Sequence, residues 1–479
     1  MVVGEITQQR NLIIIGGGPG GYSAAIRGAQ LGLSVTLIEQ ADLGGVCLNK
    51  GCIPSKVFTH AASKRAEISH LTDLGIGSGD DTFNLSKLLS YKDEVISGLR
   101  SGVENLCKAN KIEVIQGKAT FLAVNKIGVE NGHQFDIFEF DQVILATGSK
   151  PVMPKWVTNK GKRVLLSHNM FSLEEIPEHL IVYGQDYIAL EVASSFAALG
   201  SKVTILFDQE SEQVFDESIF KELNRLFKRR KITIFKDIQK ISTNETDLNV
   251  TVTFKSSKDS ENVVEGSYLF VSGTREPNLG SLGISRIGLV QSDEGFISVN
   301  EKMQSNINSI YAIGDITEGP LLALKAIKQG KVAVESIAGL KPEVDLTFIP
   351  HIAHTIPPAV TVGLTEQMAK ETSLNVRISQ FSLGGNGYAS ITGKKDGFIK
   401  VISDAETEII NGIHMIGEGA VEMSGSFVQL LEMAAKEEDI KFPLYAHPGF
   451  SEGLLEAVEG LIGQAIHSAP VKKKDLQTV

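Results

Sequence analysis

A glycine-rich turn between an apolar run and a helical segment constrains this sequence more than any other feature. Residues 12–15 are apolar and mostly β-branched, and five glycines follow within residues 16–21. Residues 22–31 then have helical composition, and residues 34–39 form a second apolar run. Strand, tight turn, helix and strand in this order predict a βαβ unit.

The same order of segments recurs later in the chain. Residues 180–183 predict a strand, Gly184 a turn, residues 187–199 a helix and residues 202–207 another strand. Two such units predict an α/β protein with two Rossmann-like dinucleotide-binding domains. We expect these domains at residues 1–150 and 151–278, a central region at 279–349 that returns to the first domain, and a C-terminal α+β domain at 350–479.

The first turn has the spacing of a dinucleotide-binding loop. Gly16 allows the tight turn, Gly18 lets the backbone approach a pyrophosphate, and Gly21 lets helix and strand pack closely. The phosphates would then meet free N–H groups at the start of the helix. Glu39 ends the second strand, where an acid accepts hydrogen bonds from an adenosine ribose. Together these residues predict a nucleotide site in the first unit.

A close pair of cysteines follows this nucleotide site. Cys47 and Cys52 are separated by four residues, and such a pair can form a disulfide if the backbone turns between them. A metal site would require further ligands, and the sequence has no second cysteine pair. A structural disulfide is at odds with the cytoplasmic character of the chain, which has only three cysteines. We therefore favour a redox pair, and we expect the third cysteine, Cys107, to be a buried thiol.

The segment GGVCLNKGCIPSK at residues 44–56 resembles the redox-active motif of the pyridine nucleotide–disulfide oxidoreductases. Within that family, the chain is most similar to the dihydrolipoamide dehydrogenase type. The resemblance extends over nearly the whole chain. It includes GGGPGGYSAAIRGAQLG at 16–32, ATGS at 146–149, YAIGD at 311–315, IAHTIPPAVTVGLTE at 352–366 and AHPGFSE at 446–452.

The resemblance implies a cofactor, a set of site residues and an assembly. It implies FAD in the first domain, NAD in the second, and a C-terminal interface domain that builds a homodimer. Cys47 would exchange with a dithiol substrate, Cys52 would face the flavin, Asp315 would meet its ribityl–phosphate region, and Lys56 would pair with Glu191. The implied cofactor-binding residues are Gly16, Gly18, Gly21, Glu39, Gly45, Lys56, Ala119, Thr147, Gly148, Gly184, Ile188, Glu191, Asp315 and Ala323.

A histidine near the C-terminus is the candidate proton carrier. Disulfide exchange requires a thiolate, so a base must take the proton of the substrate thiol. His447 can titrate in the required pH range, and Glu452 follows five positions later, where it could orient the imidazole. A His-Pro turn alone is usually structural. The resemblance assigns this pair to catalysis, and it implies that the partner subunit contributes the pair to each active site.

The second glycine turn departs from the family pattern. Asp186 stands where the family has the middle glycine, and Phe207 stands where a ribose-binding acid is expected. A carboxylate about 5 Å from a phosphate costs about 3 kcal/mol at an effective dielectric near 20. Losing the ribose hydrogen bonds costs about 1–3 kcal/mol. Asp208 could replace the missing acid only if the register shifts. We expect these two changes to weaken the affinity for NAD by about three orders of magnitude.

Three functions remain open at this point. The first is oxidation of dihydrolipoyl groups carried by 2-oxo-acid dehydrogenase or glycine-cleavage complexes, with NAD as acceptor. The second is dithiol oxidation with a non-nicotinamide acceptor, and the third is a non-catalytic flavin-containing subunit of a lipoyl complex. A net charge of −11 argues against a nucleic-acid partner. Apolar runs of strand length predict no membrane span and no targeting segment, so a cytoplasmic location is expected.

Overall fold

A computed structural model describes residues 7–77, 82–158, 161–208, 214–256 and 259–469. The polar residues Thr7–Asn11 extend the first predicted strand toward the N-terminus, where they pair in parallel with a long later strand. The elements up to the first domain's edge are β1 (Thr7–Ile15), α1 (Pro19–Gln30), β2 (Val35–Glu39), α2 (Gly45–Asn49), α3 (Cys52–Asp73), α4 (Leu85–Ala109), β3 (Glu113–Gln116), β4 (Lys118–Ala123), β5 (Lys126–Asn131), β6 (Gln134–Leu145) and β7 (Ser149–Pro151).

A second set of elements follows and contains the second βαβ unit. The set comprises β8 (Val164–Leu165), β9 (His179–Tyr183), α5 (Tyr187–Ala198), β10 (Lys202–Leu206), α6 (Glu217–Arg229), β11 (Thr233–Phe235), β12 (Gln239–Glu245), β13 (Val250–Lys255), β14 (Glu261–Gly266), β15 (Tyr268–Val271) and β16 (Arg275–Pro277). The strands β11, β10, β9, β15 and β8 form a parallel sheet in that order.

The chain then returns to the first sheet before it enters the C-terminal part. The remaining elements are β17 (Ile310–Ala312), α7 (Ala323–Ile337), β18 (His351–Ala353), β19 (Ala359–Gly363), α8 (Glu366–Glu371), β20 (Val376–Ser382), α9 (Gly387–Ile391), β21 (Phe398–Asp404), β22 (Ile410–Ile416), α10 (Ala420–Glu432), α11 (Glu437–Lys441) and α12 (Glu452–Gly460). Strand β17 pairs in parallel with β6. Strands β18, β19, β22, β21 and β20 form an antiparallel sheet in that order.

The first sheet combines a parallel and an antiparallel part. Strands β3, β2, β1 and β6 are parallel neighbours, and β6, β5 and β4 form an antiparallel meander. Helices α1 and α7 pack against each other beside this sheet. The apolar residues of β1 and β2 are completely or almost completely buried, because helices or the meander cover both faces of the parallel part.

These sheets confirm the predicted α/β class, with two Rossmann-like units and a C-terminal α+β unit. The strand order places the carboxyl ends of β1, β6 and β17 at one edge of the first sheet, where the glycine turn also lies. Within the described ranges, no helix has both the length and the apolar character needed to cross a membrane.

Candidate active site

The first glycine turn is closed by backbone contacts that exclude side chains. A Cβ atom on Gly21 would lie 1.8 Å from the carbonyl oxygen of Gly16, so helix α1 can approach β1 only with glycine at this position. Glu39 supports the loop, because its Oε2 accepts from the N–H of Gly17 at 2.6 Å. Helix α1 begins after Gly18, and no side chain caps it. The N–H groups at its start are therefore available to an anion.

The cysteine pair lies at the junction of two helices beside this turn. Cys47 is in α2, Cys52 is the first residue of α3, and the two residues form a disulfide with a Cα–Cα distance of 4.6 Å. The helix start at Cys52 favours a thiolate there once the bond is reduced, because the helix dipole stabilises negative charge. The pair is thus built for reversible opening.

A buried carboxylate connects the cysteine helix to the second βαβ unit. The Nζ of Lys56, one turn after Cys52, lies 2.8 Å from both carboxylate oxygens of Glu191, which is on helix α5. Glu191 also accepts from the hydroxyl of Ser55 at 2.7 Å and from the N–H of His354 at 2.9 Å. The sequence predicted the Lys56–Glu191 pair through resemblance, but it gave no signal for the contacts of Ser55 and His354.

A second polar network holds Asp315. The hydroxyl of Ser149 donates to Asp315 Oδ2 at 2.6 Å and accepts from Nε of Arg275 at 2.8 Å. Arg275 lies in β16, which pairs with β7, so the network joins the two nucleotide-fold units. Burial lowers the pKa of nearby Lys325 to about 8, although Asp315 opposes this effect. Sequence reasoning gave no role to Ser149, although it ends the ATGS motif, or to Arg275, because their network with Asp315 joins distant segments. It also missed Lys325, whose Nζ donates to the carbonyls of Thr317 and Glu318.

One cavity brings most of the predicted site residues together. It extends from Glu39 past the cysteine pair to Asp315 and the start of α7. The predicted residues that line it are Gly16, Gly18, Glu39, Gly45, Cys47, Cys52, Lys56, Ala119, Thr147, Gly148, Ile188, Glu191, Asp315 and Ala323. Gly21 lies outside the lining, where it supports the turn. Gly184, His447 and Glu452 also lie outside it.

The cavity fits the dinucleotide FAD. At its adenosine end it has an uncapped helix start and the carboxylate of Glu39. At its centre, Gly18 and Gly45 meet so closely that a Cβ on Gly45 would lie 2.7 Å from the Cα of Gly18. At its far end it contains the disulfide and the Lys56–Glu191 pair. A cofactor bound along this path would have its phosphates at the glycine turn and its ring beside sulfur.

The second glycine turn has a different chemistry. Asp186 caps helix α5, and its Oδ1 accepts from the N–H of Ala189 at 2.9 Å. The hydroxyl of Ser272 donates to Oδ1 and Oδ2 of Asp186 at 2.8 and 2.7 Å. Burial raises the pKa of the Asp186 carboxyl, against the opposing effect of the hydrogen bonds from Ala189 and Ser272. The carboxyl group therefore occupies the N–H groups that a pyrophosphate would need.

This geometry revises the reason why Asp186 should weaken NAD binding. The sequence predicted a carboxylate that repels an incoming phosphate. In the structure, the carboxyl turns toward Ser272 and the helix start, so it competes for the same donors that a phosphate would use. Ser272 follows β15, the strand that neighbours β9, and this position at adjacent strand ends is the signal that could have identified it.

The ribose end of the second unit is also changed. Gly184 N–H donates to the carbonyl of Leu206 at 2.9 Å, as Gly16 N–H does to Ile38 at 2.8 Å, so Phe207 occupies the position equivalent to Glu39. Phe207 packs against the core of its own unit. The neighbouring Asp208 accepts a hydrogen bond from the hydroxyl of Tyr183. The residues of this unit do not fit NAD in the way that those of the first unit fit FAD.

The candidate proton carrier lies away from the cavity within one chain. His447 Nδ1 is 2.8 Å from Glu452 Oε1, and the His447 side chain is 81% exposed. The N–H of Gly449 donates to Glu452 Oε2 at 2.9 Å, which fixes the carboxylate. Burial would raise the pKa of Glu452, but the hydrogen bonds from His447 and Gly449 lower it overall. An exposed, oriented imidazole can act on a group that another molecule supplies.

The third cysteine, Cys107, has no place in the candidate site. Cys107 is a buried free thiol in α4, and burial together with Glu104 raises its pKa, which makes the reactive thiolate less accessible. Across the described ranges, no group of three or more His, Cys, Asp or Glu side chains is arranged to hold a metal ion.

Comparison with known proteins identifies two matching family models. The model described as "Pyridine nucleotide-disulphide oxidoreductase" matches residues 10–330. The model of the dimerisation domain of the same family matches residues 349–458. Curated relatives cover the same extent. Dihydrolipoyl dehydrogenase of Staphylococcus aureus is 37% identical over 98% of this chain and 100% of its own length. The enzymes of that name from Bacillus subtilis and Geobacillus stearothermophilus are 37% and 35% identical, each over 98% of this chain and 99% of their own length.

Solved structures show the same fold at lower sequence identity. The crystal structure of LpdA from Mycobacterium tuberculosis has a TM-score of 0.86 and 23% identity, and it covers 94% of this chain and 99% of its own. The Cu(II) complex of the HOCl-induced flavoprotein disulfide reductase RclA from Escherichia coli has a TM-score of 0.85 and 23% identity, with coverage of 95% and 99%. These two comparisons support the fold alone.

Proposed function

The chain belongs to the pyridine nucleotide–disulphide oxidoreductase family, and we propose that it oxidises protein-bound dihydrolipoyl groups through the Cys47–Cys52 disulfide and FAD. The observation that carries this proposal is one cavity in which the disulfide, the Lys56–Glu191 pair and an uncapped glycine turn are continuous. Relatives named dihydrolipoyl dehydrogenase, which match along nearly the full length, support the choice of substrate class.

The sulfur chemistry follows from the positions of the two cysteines. A substrate thiolate attacks Cys47 Sγ, the Cys47–Cys52 bond breaks, and Cys52 leaves as a thiolate at the start of α3. The second substrate thiolate then attacks the substrate sulfur bound to Cys47, which closes the lipoyl disulfide and releases Cys47. The dithiol loses two electrons and two protons, and the enzyme disulfide gains the two electrons. FAD, when bound, supplies the centre that takes these electrons on from the reduced cysteines.

The cofactor-binding roles are distributed along the cavity. Gly16, Gly18 and Gly45 would allow the pyrophosphate to approach the start of α1, and Glu39 would accept from the ribose. Asp315, oriented by Ser149, would meet the ribityl region. Lys56, oriented by Glu191, would lie near the reactive edge of the ring. The remaining predicted contacts are Ala119, Thr147, Gly148, Ile188 and Ala323.

We propose a homodimer in which His447 of one subunit serves the cysteines of the other. The match to the dimerisation domain and the 81% exposure of the His447 side chain support this arrangement. Glu452 would hold Nδ1 so that Nε2 can take the proton of the substrate thiol. The lipoyl domains of 2-oxo-acid dehydrogenase or glycine-cleavage complexes are the proposed partners, and the proposed location is cytoplasmic.

Anaerobic absorbance spectroscopy of the flavin-loaded protein tests this function. Dihydrolipoamide should open the disulfide and produce the long-wavelength absorbance of a thiolate beside oxidised flavin. Cys47→Ser should abolish this response while flavin remains bound. A Cys107→Ser variant is the matched control and should respond like the wild type, because Cys107 is buried away from the cavity lining. No spectral response of the wild type to the dithiol would favour a non-catalytic flavin subunit instead.

A second candidate concerns the electron acceptor. The Asp186 contacts favour dithiol oxidation with an acceptor other than a nicotinamide nucleotide, because Asp186 already accepts from the Ala189 N–H at the start of α5 and from the Ser272 hydroxyl. A soluble benzoquinone lacks phosphates and can accept the two electrons and two protons that the dithiol releases. We expect turnover with the quinone to saturate normally and turnover with NAD to show a KM in the millimolar range. A micromolar KM for NAD would restore NAD as the acceptor.

A further inference from the structure

A second histidine–carboxylate pair lies beside the candidate proton carrier. Glu452 and Glu456 are one helical turn apart on α12, and each holds one imidazole by its Nδ1. The distance from His447 to Glu452 is 2.8 Å, and that from His467 to Glu456 is 2.7 Å. Each glutamate also accepts one backbone N–H, from Gly449 and from His467 itself. The two pairs therefore have the same construction.

The second pair is close enough to influence the first one electrostatically. Hydrogen bonding to Glu456 raises the pKa of His467, and Glu452 adds to this effect. In turn, His467 contributes to the lowered pKa of Glu452, after the hydrogen bonds from His447 and Gly449. The His467 side chain is 67% exposed, so its charge acts through a largely aqueous medium. When protonated, His467 is a cation whose partner Glu456 lies one helical turn from the carboxylate that orients His447.

Among the described residues, the other titratable groups linked to these two pairs lie on α12 and α11. Glu459 on α12 interacts electrostatically with Glu456 on the same helix and with Lys441 on α11. In the described residues, Glu452, Glu456, Glu459, Lys441, His447 and His467 are the titratable groups that these interactions connect. Removal of His467 alone would therefore leave the Glu456 carboxylate uncompensated beside Glu452.

We propose that His467 is a positioning residue that, held by Glu456, balances charge beside Glu452 and so controls how readily His447 takes the substrate proton. This inference rests on the proposed dithiol function. The alternative is a structural clasp, in which the pair merely fastens the segment after α12 to the helix. The two roles differ in one respect: charge balance depends on the sum of the two charges, whereas a clasp depends on the contact itself.

The test is the pH profile of the dithiol half-reaction, measured by anaerobic stopped-flow on flavin-loaded protein. His467→Gln leaves an unbalanced anion and should move the profile to higher pH by about 0.3–0.5 unit at low ionic strength. Adding Glu456→Gln removes that anion, so the double variant should return to the wild-type profile. His467→Lys keeps a positive charge and should also stay close to wild type. Ile466→Ala, on the same segment, controls for disturbance of the tail.

The outcomes distinguish a failure of this inference from a failure of the proposed dithiol oxidation. An upward shift in His467→Gln that the double variant reverses supports charge positioning. A double variant as impaired as the single variant, or a single variant with an unshifted profile, would overturn it and leave the dithiol function intact. If the wild type shows no half-reaction with dihydrolipoamide, both the function and this inference fail. Repeating the measurement at 0.5 M salt should reduce the shift, since exposed charges are screened.

Discussion

The two βαβ units of this chain share a backbone plan but differ at the start of their helices. In each unit the turn N–H donates to the end of the second strand, from Gly16 to Ile38 and from Gly184 to Leu206. Helix α1 then begins after Gly18 without a side-chain cap, whereas Asp186 caps α5 with its own carboxyl. The same frame leaves an anion site open in one unit and fills it in the other.

This difference shows how little of a dinucleotide site resides in the fold itself. The binding site consists of N–H donors that the chain leaves unused and one acid at a strand end. Asp186 removes the first and Phe207 removes the second. Glu191 on the same helix α5 still contacts Lys56, so the part of the second unit that faces the cysteines keeps its polar contacts. The change is confined to the nucleotide side.

The largest expected effect comes from placing the aspartate of the second turn at the equivalent position of the first turn. Gly18→Asp should place a carboxyl at the start of α1, as Asp186 does at α5, and should abolish FAD binding. The protein should be isolated colourless after flavin loading, and flavin content per chain measures this. Gly18→Ala is the matched control. Its Cβ would lie 3.9 Å from the Cα of Gly45, an ordinary contact, so the turn should be kept, and flavin affinity should fall less than in Gly18→Asp because no charge is added. Flavin-replete Gly18→Asp would break the comparison.

The converse exchange should give the next largest effect. Asp186→Gly combined with Phe207→Glu frees the helix donors and restores the ribose acceptor. We expect NADH affinity to rise by about 100- to 1000-fold, from the hydrogen bonds and the charge that change. Trp156, the single tryptophan, packs edge-on against Tyr183 at the end of β9. Its fluorescence can report binding through energy transfer to NADH. Unchanged affinity would mean that other features close this unit.

A smaller effect is expected at the adenosine end of the first unit. Glu39→Gln keeps one oxygen acceptor but removes the charge, and it weakens the contact with the N–H of Gly17. FAD affinity should fall by about 10-fold, the value of roughly one charge-assisted hydrogen bond. Equilibrium dialysis of the flavin measures this change. A loss as complete as that in Gly18→Asp would show that Glu39 chiefly maintains the turn.

The smallest expected effect separates charge from occupancy at the second turn. Asp186→Asn removes the charge but leaves a side chain that can cap α5 and contact Ser272. If occupied donors dominate, NADH affinity should rise less than about 10-fold, whereas pure phosphate repulsion predicts a gain near 100-fold. The Trp156 titration distinguishes these values. A gain in NADH affinity near 100-fold would show that electrostatic repulsion alone explains the effect of Asp186.

The sequence predicted the fold class and the two units because glycine spacing and apolar runs are local signals. It underestimated β1, because polar residues such as Thr7 and Gln8 pair with β6 without an apolar pattern. At the second turn, Asp186 was recognisable as a departure, but its contact with Ser272 joins residues 86 positions apart. Such a contact depends on which strands are neighbours, and spacing along the chain does not specify this.

The site shows the same limit. Residues whose role comes from a motif, such as Cys47 and Cys52, could be predicted from sequence. Ser55, Ser149 and Arg275 could not, because each acts by holding another side chain that is more than 100 positions away along the chain. His467 could not be predicted for a related reason, because the turn at residues 461–463 returns the chain to α12, where its partner Glu456 lies.

The first unit leaves its helix start free for a dinucleotide, and the second unit fills it with Asp186. The most direct test of this difference is the number of dinucleotides that each chain binds. We predict one FAD per chain in the purified wild type and no saturable NADH binding, by Trp156 fluorescence or dialysis, below about 100 µM, as expected for a site weakened by about three orders of magnitude. One NADH bound per chain in the low micromolar range, alongside one FAD, would contradict the account.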